Sequence, residues 1–308
     1  CWTTYMHDRL KGIMRLDLYK KIIDEASQKG IFSIKLSWRG EPLLNPNIIE
    51  MINYAKEKKI KSVAFLTNAE LLTKKMTHKL LSTDLDWISI SADGVDEIYD
   101  KIRFPAKFNE TLDRVAFLKN ERDKLKKNKP LIRVQSIASA IKKNPEKFFK
   151  SWSDKVDKMN VIADQIRDFN VNSEELEFDK YFICPKPFQR LAIAHTGKVH
   201  QCIADYEGKN ILGDINKQSI QEVWDGENNR KLRESFKNHT YFKINQACKE
   251  CSYGLVQKKD SITSEVKDMN MNINSYKDVP NVVEDKGLQI KTPDQFIPKS
   301  KREDYKKL

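Results

Sequence analysis

Four of the five cysteines lie in one stretch of the C-terminal half, at spacings that suit metal ligation. Cys248 and Cys251 form a CxxC pair, which lets two thiolates meet one metal centre across a tight turn. Cys184 and Cys202 are separated by 17 residues, on either side of a predicted hairpin, and can supply two further ligands. Four thiolates suit either a structural zinc ion or one iron–sulfur cluster, and the spacing alone slightly favours zinc. Buried cysteines without a ligand are the third alternative.

A second set of candidate residues follows three successive predicted strands. The first strand is followed by WRGEPLLNP (38–46), the second by Thr67 and Asn68, and the third by SADG (91–94). Each stretch alone is typical of an ordinary turn or helix cap. Because the carboxyl ends of parallel strands meet at one edge of a sheet, the three together predict a functional site there.

The elements that must position these groups alternate between helix and strand. Helices are predicted where apolar residues recur every three or four positions, and strands where short apolar or β-branched runs occur. The predicted helices are 17–30, 46–59, 71–82, 109–126 and 144–158, and the predicted strands are 31–37, 61–67, 86–91, 131–139 and 159–163. This alternation implies right-handed crossovers and a parallel sheet. Too few units are present for an eight-unit barrel, so a partial barrel is predicted.

The pattern changes near residue 180. A hairpin is predicted around Thr196 and Gly197, followed by one amphipathic helix over 219–236. We expect His195 and His200, which flank the hairpin turn, to be exposed rather than metal ligands. Beyond residue 255 the sequence has little apolar periodicity and predicts an extended or disordered tail.

Composition limits the classes of protein that remain. Apolar residues make up 39% and charged residues 32%, and no apolar run reaches the length of a membrane helix. The net charge of +12 could serve a polyanion, but the lysines are interspersed with acidic residues, which favours a solvated surface. The five cysteines are an odd number, and four of them are clustered and include a CxxC pair, which is typical of metal ligands in a reducing compartment.

The first half resembles the radical SAM superfamily, and the region from Cys184 to Cys251 resembles a SPASM-type auxiliary-cluster domain. The first resemblance rests on WRGEP in place of that family's Gly-Gly-Glu-Pro, on LTNAE after the next strand, and on ISADGVDEIYDKIR after the third. The second rests on Cys184, twelve residues, Gly197, four residues, Cys202, then ILGDINKQSIQEVWDGENNRKLRESF and CxxC. Arg39 departs from the family's first glycine, which is tolerable if its backbone φ is ordinary.

The superfamily's CxxxCxxC signature suggests a role for Cys1 as one of its three cysteines. A first or second position for Cys1 would require a cysteine at Tyr5 or Thr4, so Cys1 fits the third position. The resemblance thus implies an N-terminally truncated sequence, with two cysteines and a first strand upstream. It also implies that this chain alone does not cleave S-adenosylmethionine (SAM) productively.

The resemblance implies cofactors and residue roles. It implies a [4Fe–4S] radical cluster held in part by Cys1, and SAM, whose one-electron cleavage yields a radical that takes a hydrogen atom from substrate. Glu41 would accept a hydrogen bond from the SAM amino group, with Gly40 and Pro42 shaping its loop. The remaining implied SAM-binding residues are Asn68, Ser91, Asp93 and Arg103, with Gln135 as a further candidate.

The implied C-terminal site is one auxiliary [4Fe–4S] cluster on Cys184, Cys202, Cys248 and Cys251, because full SPASM domains carry more cysteines than these four. The expected fold class is α/β, a partial (β/α)6 barrel without its first strand, followed by a small α+β cluster domain. The expected domains are a barrel over 1–165, a cluster domain over 166–255 and a tail over 256–308.

The function implied is that of a radical SAM enzyme acting on a peptide, sugar or other small substrate. An electron donor such as a flavodoxin or ferredoxin, a cytoplasmic location and no membrane or nucleic-acid partner are expected with it. Two alternatives stay open: a zinc-stabilised α/β protein that binds nucleic acid, and a non-catalytic scaffold with the same fold.

Overall fold

Five parallel strands form the central sheet of the N-terminal part. The computed structural model describes residues 8–162, 176–178, 183–205, 208–241, 246–249, 251 and 255–257. The strands of the central sheet are β1 (Ser33–Lys35), β2 (Ser62–Thr67), β3 (Trp87–Ser91), β4 (Leu131–Ile137) and β5 (Lys158–Ile162). They lie in the order β1-β2-β3-β4-β5, and every neighbouring pair is parallel. The predicted parallel α/β sheet is confirmed.

One helix precedes β1, and the others connect successive strands, as crossovers between parallel strands require. They are α1 (Leu16–Gln28), α2 (Ile48–Glu57), α3 (Lys74–Leu81), α4 (Asp96–Ile102), α5 (Phe108–Lys124), α6 (Ala138–Ile141) and α7 (Pro145–Trp152). The start of α7 shows how local sequence sets a boundary. Asn144 accepts a hydrogen bond from the Lys147 backbone N–H, and Pro145 occupies the first turn.

The two faces of the sheet differ in polarity. The face that packs against the helices is apolar and belongs to the main hydrophobic core; its members include Val63, Phe65, Ile88, Ile90, Ile132, Val134 and Met159. Because side chains alternate along a strand, the strand register places a different set on the opposite face. That set includes Lys35, Trp87, Ser89, Ser91, Arg133, Gln135 and Asn160. A parallel sheet buried on both faces is usually apolar on both, so the polar face indicates a chamber.

The C-terminal part contains a three-stranded antiparallel sheet and short helices. Its strands are β7 (Ala192–Ile193), β8 (Lys198–His200) and β9 (Ile211–Asp214), and a separate pair joins β6 (Leu176–Phe178) to β10 (Leu255–Gln257). The predicted hairpin is present as β7 and β8, with Gly197 at φ 88° in the turn, a conformation that favours glycine.

The segment predicted as one helix over 219–236 is two helices, and that prediction is wrong in this respect. They are α8 (Ile220–Asp225) and α9 (Glu227–Lys237), and α10 (Gln246–Lys249) follows later. Gly226 between the first two is extended at φ −62° and ψ 155°, which ends one helix and caps the next. A capping box between Ser219 and Glu222 fixes the start of α8.

The expectation that His200 is exposed is also wrong. Its residue exposure is 2%, and its ring Nδ1 lies 3.3 Å from a carboxylate oxygen of Asp205, which is equally buried. The Trp38 ring packs edge-on against it, with centroids 4.9 Å apart. His195 is half-buried and packs beside Gly12. Contacts with the N-terminal part of the chain, not visible in the hairpin sequence, bury His200.

Helix α1 belongs to both parts of the described chain. Tyr19 and Ile23 join the main core, whereas Ile22 joins a second core with residues of the C-terminal sheet and helices. The expected boundary at residue 165 lies outside the described residues, as does Cys1. Two residues of the expected tail, Val256 and Gln257, belong to β10; the rest of that tail lies outside the described residues.

Candidate functional site

The loop after β1 places Glu41 at the carboxyl edge of the sheet. Gly40 has φ 75°, in the left-handed region that favours glycine, and Pro42 starts a one-turn 3-10 helix. Glu41 caps that turn by accepting a hydrogen bond from the Leu43 backbone N–H at 3.0 Å. Arg39 has no positive φ, so its departure from the glycine of the family motif causes no backbone strain.

The Glu41 carboxylate joins the first two strand ends. Its Oε1 accepts a hydrogen bond from the Thr67 hydroxyl at 2.7 Å, and its Oε2 accepts one from the Asn68 backbone N–H at 2.8 Å. Burial raises the pKa of Glu41, although these hydrogen bonds act in the opposite direction. With the bond from Leu43, three of about four lone-pair positions of the carboxylate are used, which leaves room for one more donor on Oε2.

The third strand end carries an ion pair. The Asp93 carboxylate accepts a hydrogen bond from the Arg103 guanidinium, and its other oxygen accepts one from the Ile137 backbone N–H at 3.0 Å. In the described part of the chain, the Arg103 Nε is buried and has no hydrogen-bond partner. The structure thus brings Asp93 and Arg103 together, which sequence patterns had not indicated.

Ser91 and Gln135 are neighbours across β3 and β4 on the polar face of the sheet. The side-chain oxygen of Gln135 accepts a hydrogen bond from Asn160 Nδ2 at 3.3 Å. Asn68 closes a short turn by accepting from the Glu70 backbone N–H at 3.0 Å. These polar residues lie at or just below the same edge as Glu41.

Basic residues on the polar face were missed by the sequence analysis. The Lys35 ammonium lies 5.0 Å and the Arg133 guanidinium 4.8 Å from the centre of the Trp87 ring, and Arg133 Nε donates to Ser89 Oγ at 3.1 Å. Lys35 is exposed as a residue, but its ammonium group is enclosed; this burial, with the nearby charges of Arg133 and Arg190, lowers its pKa to about 8. The alternation of β1 offers a weak signal, since Ser33 and Lys35 are polar and Ile34 between them is apolar.

The four C-terminal cysteines line one pocket and are free thiols. Apolar side chains complete much of the wall, namely Pro187, Leu232, Phe236 and Tyr241. Two N–H groups point at the sulfurs: the Ala204 backbone N–H donates to Cys202 Sγ at 3.1 Å, and Gln201 Nε2 donates to Cys248 Sγ at 3.5 Å. The spacing-based prediction that these cysteines meet is supported by this pocket.

The pKa values of the cysteine thiols in the pocket are consistent with binding of a positively charged metal centre. Burial raises the pKa of Cys184 to about 11 and also raises the pKa values of Cys202 and Cys248, with neighbouring thiols adding to the effect. Four thiolates in such a place are therefore unfavourable until a metal compensates their charge, because a coordinating thiol is deprotonated outright.

The spacing of the sulfurs bears on which group fits. Over the described residues, no three His, Cys, Asp or Glu side chains are arranged to hold a single metal ion. A tetrahedral zinc site with Zn–S of about 2.3 Å would bring its sulfurs to within ~4 Å of one another. A [4Fe–4S] cluster also takes four thiolates, and these four cysteines offer that ligand set.

Comparisons with known proteins agree with this arrangement. Residues 1–133 match the model of the radical SAM superfamily, and residues 184–252 match the model of SPASM, an iron–sulfur cluster-binding domain. None of the helices in the described ranges is long and apolar enough to cross a membrane.

Relatives and solved structures are similar over different shares of their length. The chain is 37% identical over 91 residues to the probable GTP 3',8-cyclase of Methanococcus maripaludis, covering 29% of this chain and 30% of the relative. It is 33% identical over 110 residues to the AdoMet-dependent heme synthase of Methanosarcina barkeri, covering 35% of this chain and 31% of the relative. The chain therefore spans about a third of the length of these curated relatives.

Among solved structures, native anSMEcpe with bound AdoMet and Cp18Cys peptide has a TM-score of 0.58 at 16% identity, over 86% of this chain and 90% of that one. At this identity the likeness concerns the fold. The two domain models follow one another along the chain in the order that the motifs predicted. The chain therefore carries a radical SAM domain over residues 1–133 and a SPASM domain over residues 184–252, and [4Fe–4S] clusters and SAM are the cofactors that these domains imply.

Proposed function

We propose that the chain forms the SAM-binding and auxiliary-cluster parts of an enzyme that cleaves SAM reductively and removes a hydrogen atom from its substrate. The observation that carries the proposal is Glu41, a half-buried carboxylate at the carboxyl edge of a parallel sheet, with one acceptor position left by the described residues. That position suits the amino group of SAM, because a hydrogen bond accepted by an ionised carboxylate is about twice as strong as one between two neutral groups.

The other residues at this edge would orient SAM. We assign Asn68 and Ser91 to the neighbourhood of the ribose, and Asp93 with Arg103 to that of the SAM carboxylate. Support for Arg103 comes from its buried Nε, which has no hydrogen-bond partner among the described residues and could donate to a ligand carboxylate. Asp93 would then hold the guanidinium in place and need not touch SAM itself.

Cys184, Cys202, Cys248 and Cys251 would hold one auxiliary [4Fe–4S] cluster, and Cys1 would contribute to the radical cluster. When bound, the clusters and SAM supply one-electron chemistry and hydrogen-atom abstraction. The chain itself supplies the ligands, the N–H groups of Gln201 and Ala204 that tune the cluster sulfurs, and apolar walls that exclude water.

The substrate would lie against the polar face of the sheet, within reach of the SAM edge. A peptide, a sugar or another small molecule fits the proposal. The similarity to a structure with bound peptide and to a cyclase named for GTP supports these classes without choosing between them. An electron donor such as a flavodoxin or ferredoxin, and a cytoplasmic location, complete the proposal.

The metal content of the purified chain tests the proposal first. After anaerobic reconstitution, we expect about four iron and four sulfide per chain at the auxiliary site, as one cubane requires. Cys248→Ser should lower both well below wild type, because it removes one of four ligands. Cys1→Ser is the matched control, since Cys1 is not among those ligands and its loss should leave the auxiliary content unchanged.

The alternative outcomes are separable. About one zinc per chain without sulfide would contradict the redox role of the C-terminal part and favour the zinc-stabilised binding protein. Equal iron in wild type and Cys248→Ser would contradict the assigned ligand set.

A further inference from the structure

Two loops that carry the proposed cofactor ligands touch each other directly. We call residues 38–44 the Glu41 loop and residues 200–205 the Cys202 loop. Trp38 Nε1 donates a hydrogen bond to the Ile203 carbonyl at 3.0 Å, and Arg39 Nη2 donates to the Asp205 carbonyl at 2.6 Å. These bonds connect the N-terminal sheet to the C-terminal part within three residues of both Glu41 and Cys202.

The aromatic side chain between the loops is held on two sides. The Arg39 guanidinium lies 3.9 Å from the centre of the Trp38 ring, a distance typical of a cation–π contact. The His200 ring meets the Trp38 ring edge-on, with centroids 4.9 Å apart. A displacement of either loop must therefore displace the tryptophan or break its contacts.

On the C-terminal side, Asp205 connects this contact to the cysteine. The Asp205 backbone N–H donates to the Cys202 carbonyl at 3.2 Å, and the Ala204 N–H donates to the Cys202 sulfur at 3.1 Å. The Asp205 carboxylate accepts from the backbone N–H groups of residues 209–210 and lies 3.3 Å from His200. The carbonyl that Arg39 holds thus belongs to a buried, internally bonded turn that positions Cys202.

On the N-terminal side, only Gly40 separates Arg39 from Glu41. The Glu41 carboxylate is bonded to Thr67 and Asn68, so the end of β2 moves with this loop or loses those bonds. A glycine at position 39, as in the family motif, would have no side chain to reach the Cys202 loop. The residue that departs from the family motif therefore donates one of the two hydrogen bonds between the loops, and Trp38 donates the other.

We propose that Trp38 and Arg39 are positioning residues that couple occupancy of the cysteine pocket to the conformation of the Glu41 loop. The proposal rests on the proposed function, since it needs a cluster at Cys202. Coupling between two sites is reciprocal, so whatever orders the Glu41 loop also tightens the Cys202 loop. Arg39 and Trp38 act through Glu41 and Cys202 and need not touch either cofactor.

Hydrogen exchange of the Glu41 loop tests the coupling without measuring activity. The full chain is compared with and without its reconstituted cluster, and exchange is followed by mass spectrometry in peptides covering residues 36–45. In wild type, cluster loading should slow exchange there about fivefold, at the lower end of typical coupling energies. In Arg39→Ala, cluster loading should leave the exchange rate of the Glu41 loop unchanged. The same is expected for Trp38→Phe, which keeps an aromatic ring but loses the N–H that donates to Ile203.

Two further variants distinguish a loss of coupling from a loss of folded structure. Lys56→Ala removes a partly buried lysine that pairs with Asp86 at the amino ends of the strands, the end of the sheet opposite the Glu41 loop, and it should retain the wild-type response. If circular dichroism shows that Arg39→Ala has lost structure, Arg39→Lys takes its place. This variant keeps the charge and should retain part of the response.

Three results would overturn the coupling. A fully loaded wild type whose exchange does not respond contradicts this inference and leaves the cluster assignment intact, as does a full response in both variants. A wild type that takes up no iron or sulfide contradicts the proposed function, and the coupling with it.

Discussion

At the scale of single residues, the candidate site holds two carboxylates in different ways. Glu41 is surrounded by neutral donors, and burial raises its pKa. Asp93 is paired directly with the Arg103 guanidinium and a backbone N–H. A carboxylate held only by neutral donors retains attraction for an incoming cation, whereas one already paired with arginine has little left. This difference makes Glu41 the better candidate for the SAM amino group and leaves Arg103 to face a carboxylate.

Replacing Glu41 by glutamine tests this donor arrangement. All three hydrogen bonds to Glu41 are donated to it, so an amide NH2 at either oxygen position would face another donor. We expect Glu41→Gln to lower the free energy of unfolding by about 1–2 kcal/mol at pH 7, measured by urea denaturation. Glu50→Gln, at an exposed glutamate that pairs with Lys20 in the described part of the chain, should cost less than about 0.5 kcal/mol. Equal losses in the two variants would contradict the arrangement.

At the scale of elements, the sequence predicted the strands and turns, because these depend on residues that are close together in the chain. The five strands, their parallel pairing and the Gly40-Glu41-Pro42 turn follow from periodicity, a left-handed glycine, a capping carboxylate and a proline. The pairing of Asp93 with Arg103 and the burial of His200 depend on contacts between segments apart in the sequence, which periodicity does not encode. The break at Gly226 was in the sequence, but amphipathic spacing on both sides hid it.

Asp86, just before β3, ties the amino ends of neighbouring elements together. Its carboxylate accepts hydrogen bonds from the Val63 backbone N–H and the Lys56 ammonium, each at 2.8 Å, and from Lys129. Asp86→Asn should lower the free energy of unfolding by about 2 kcal/mol at pH 7, because two ammonium groups lose their carboxylate. Asp84→Asn, two residues away and exposed, is the control and should have almost no effect.

The same variant gives a pH dependence with a defined sign. Burial raises the pKa of Asp86, but the bonds from Lys129, Lys56 and Val63 outweigh it and hold the pKa below its usual value. The carboxylate therefore stabilises the fold above its unfolded pKa of about 3.9, and that stability is lost as pH falls through the folded value. Denaturation at several pH values should show the gap between wild type and Asp86→Asn closing below about pH 4. A gap that stays constant down to pH 2.5 would contradict the ionic role.

At the scale of the whole molecule, α1 makes the two parts of the described chain depend on each other. Its residues enter both hydrophobic cores, and Glu25 accepts a hydrogen bond from the Ile220 backbone N–H at 2.6 Å at the start of α8. With the contacts of Trp38 and Arg39, the cysteine pocket is thus attached to the sheet at its edge and along a helix. This attachment fixes the distance between the cysteine pocket and the carboxyl edge of the sheet.

Two adjacent isoleucines on α1 pack in different hydrophobic cores, so their substitution distinguishes the role of α1 in each core. Ile22 packs in the C-terminal core and Ile23 in the main core, and both are buried. Truncation of either to alanine should cost about 2–4 kcal/mol, since each leaves a cavity of similar size. Only Ile22→Ala should also speed the loss of iron to a chelator from the reconstituted protein, because its cavity opens beside the elements that hold Cys184 and Cys248. If Ile23→Ala released iron equally fast, general destabilisation would explain both, and α1 would have no specific part in holding the pocket.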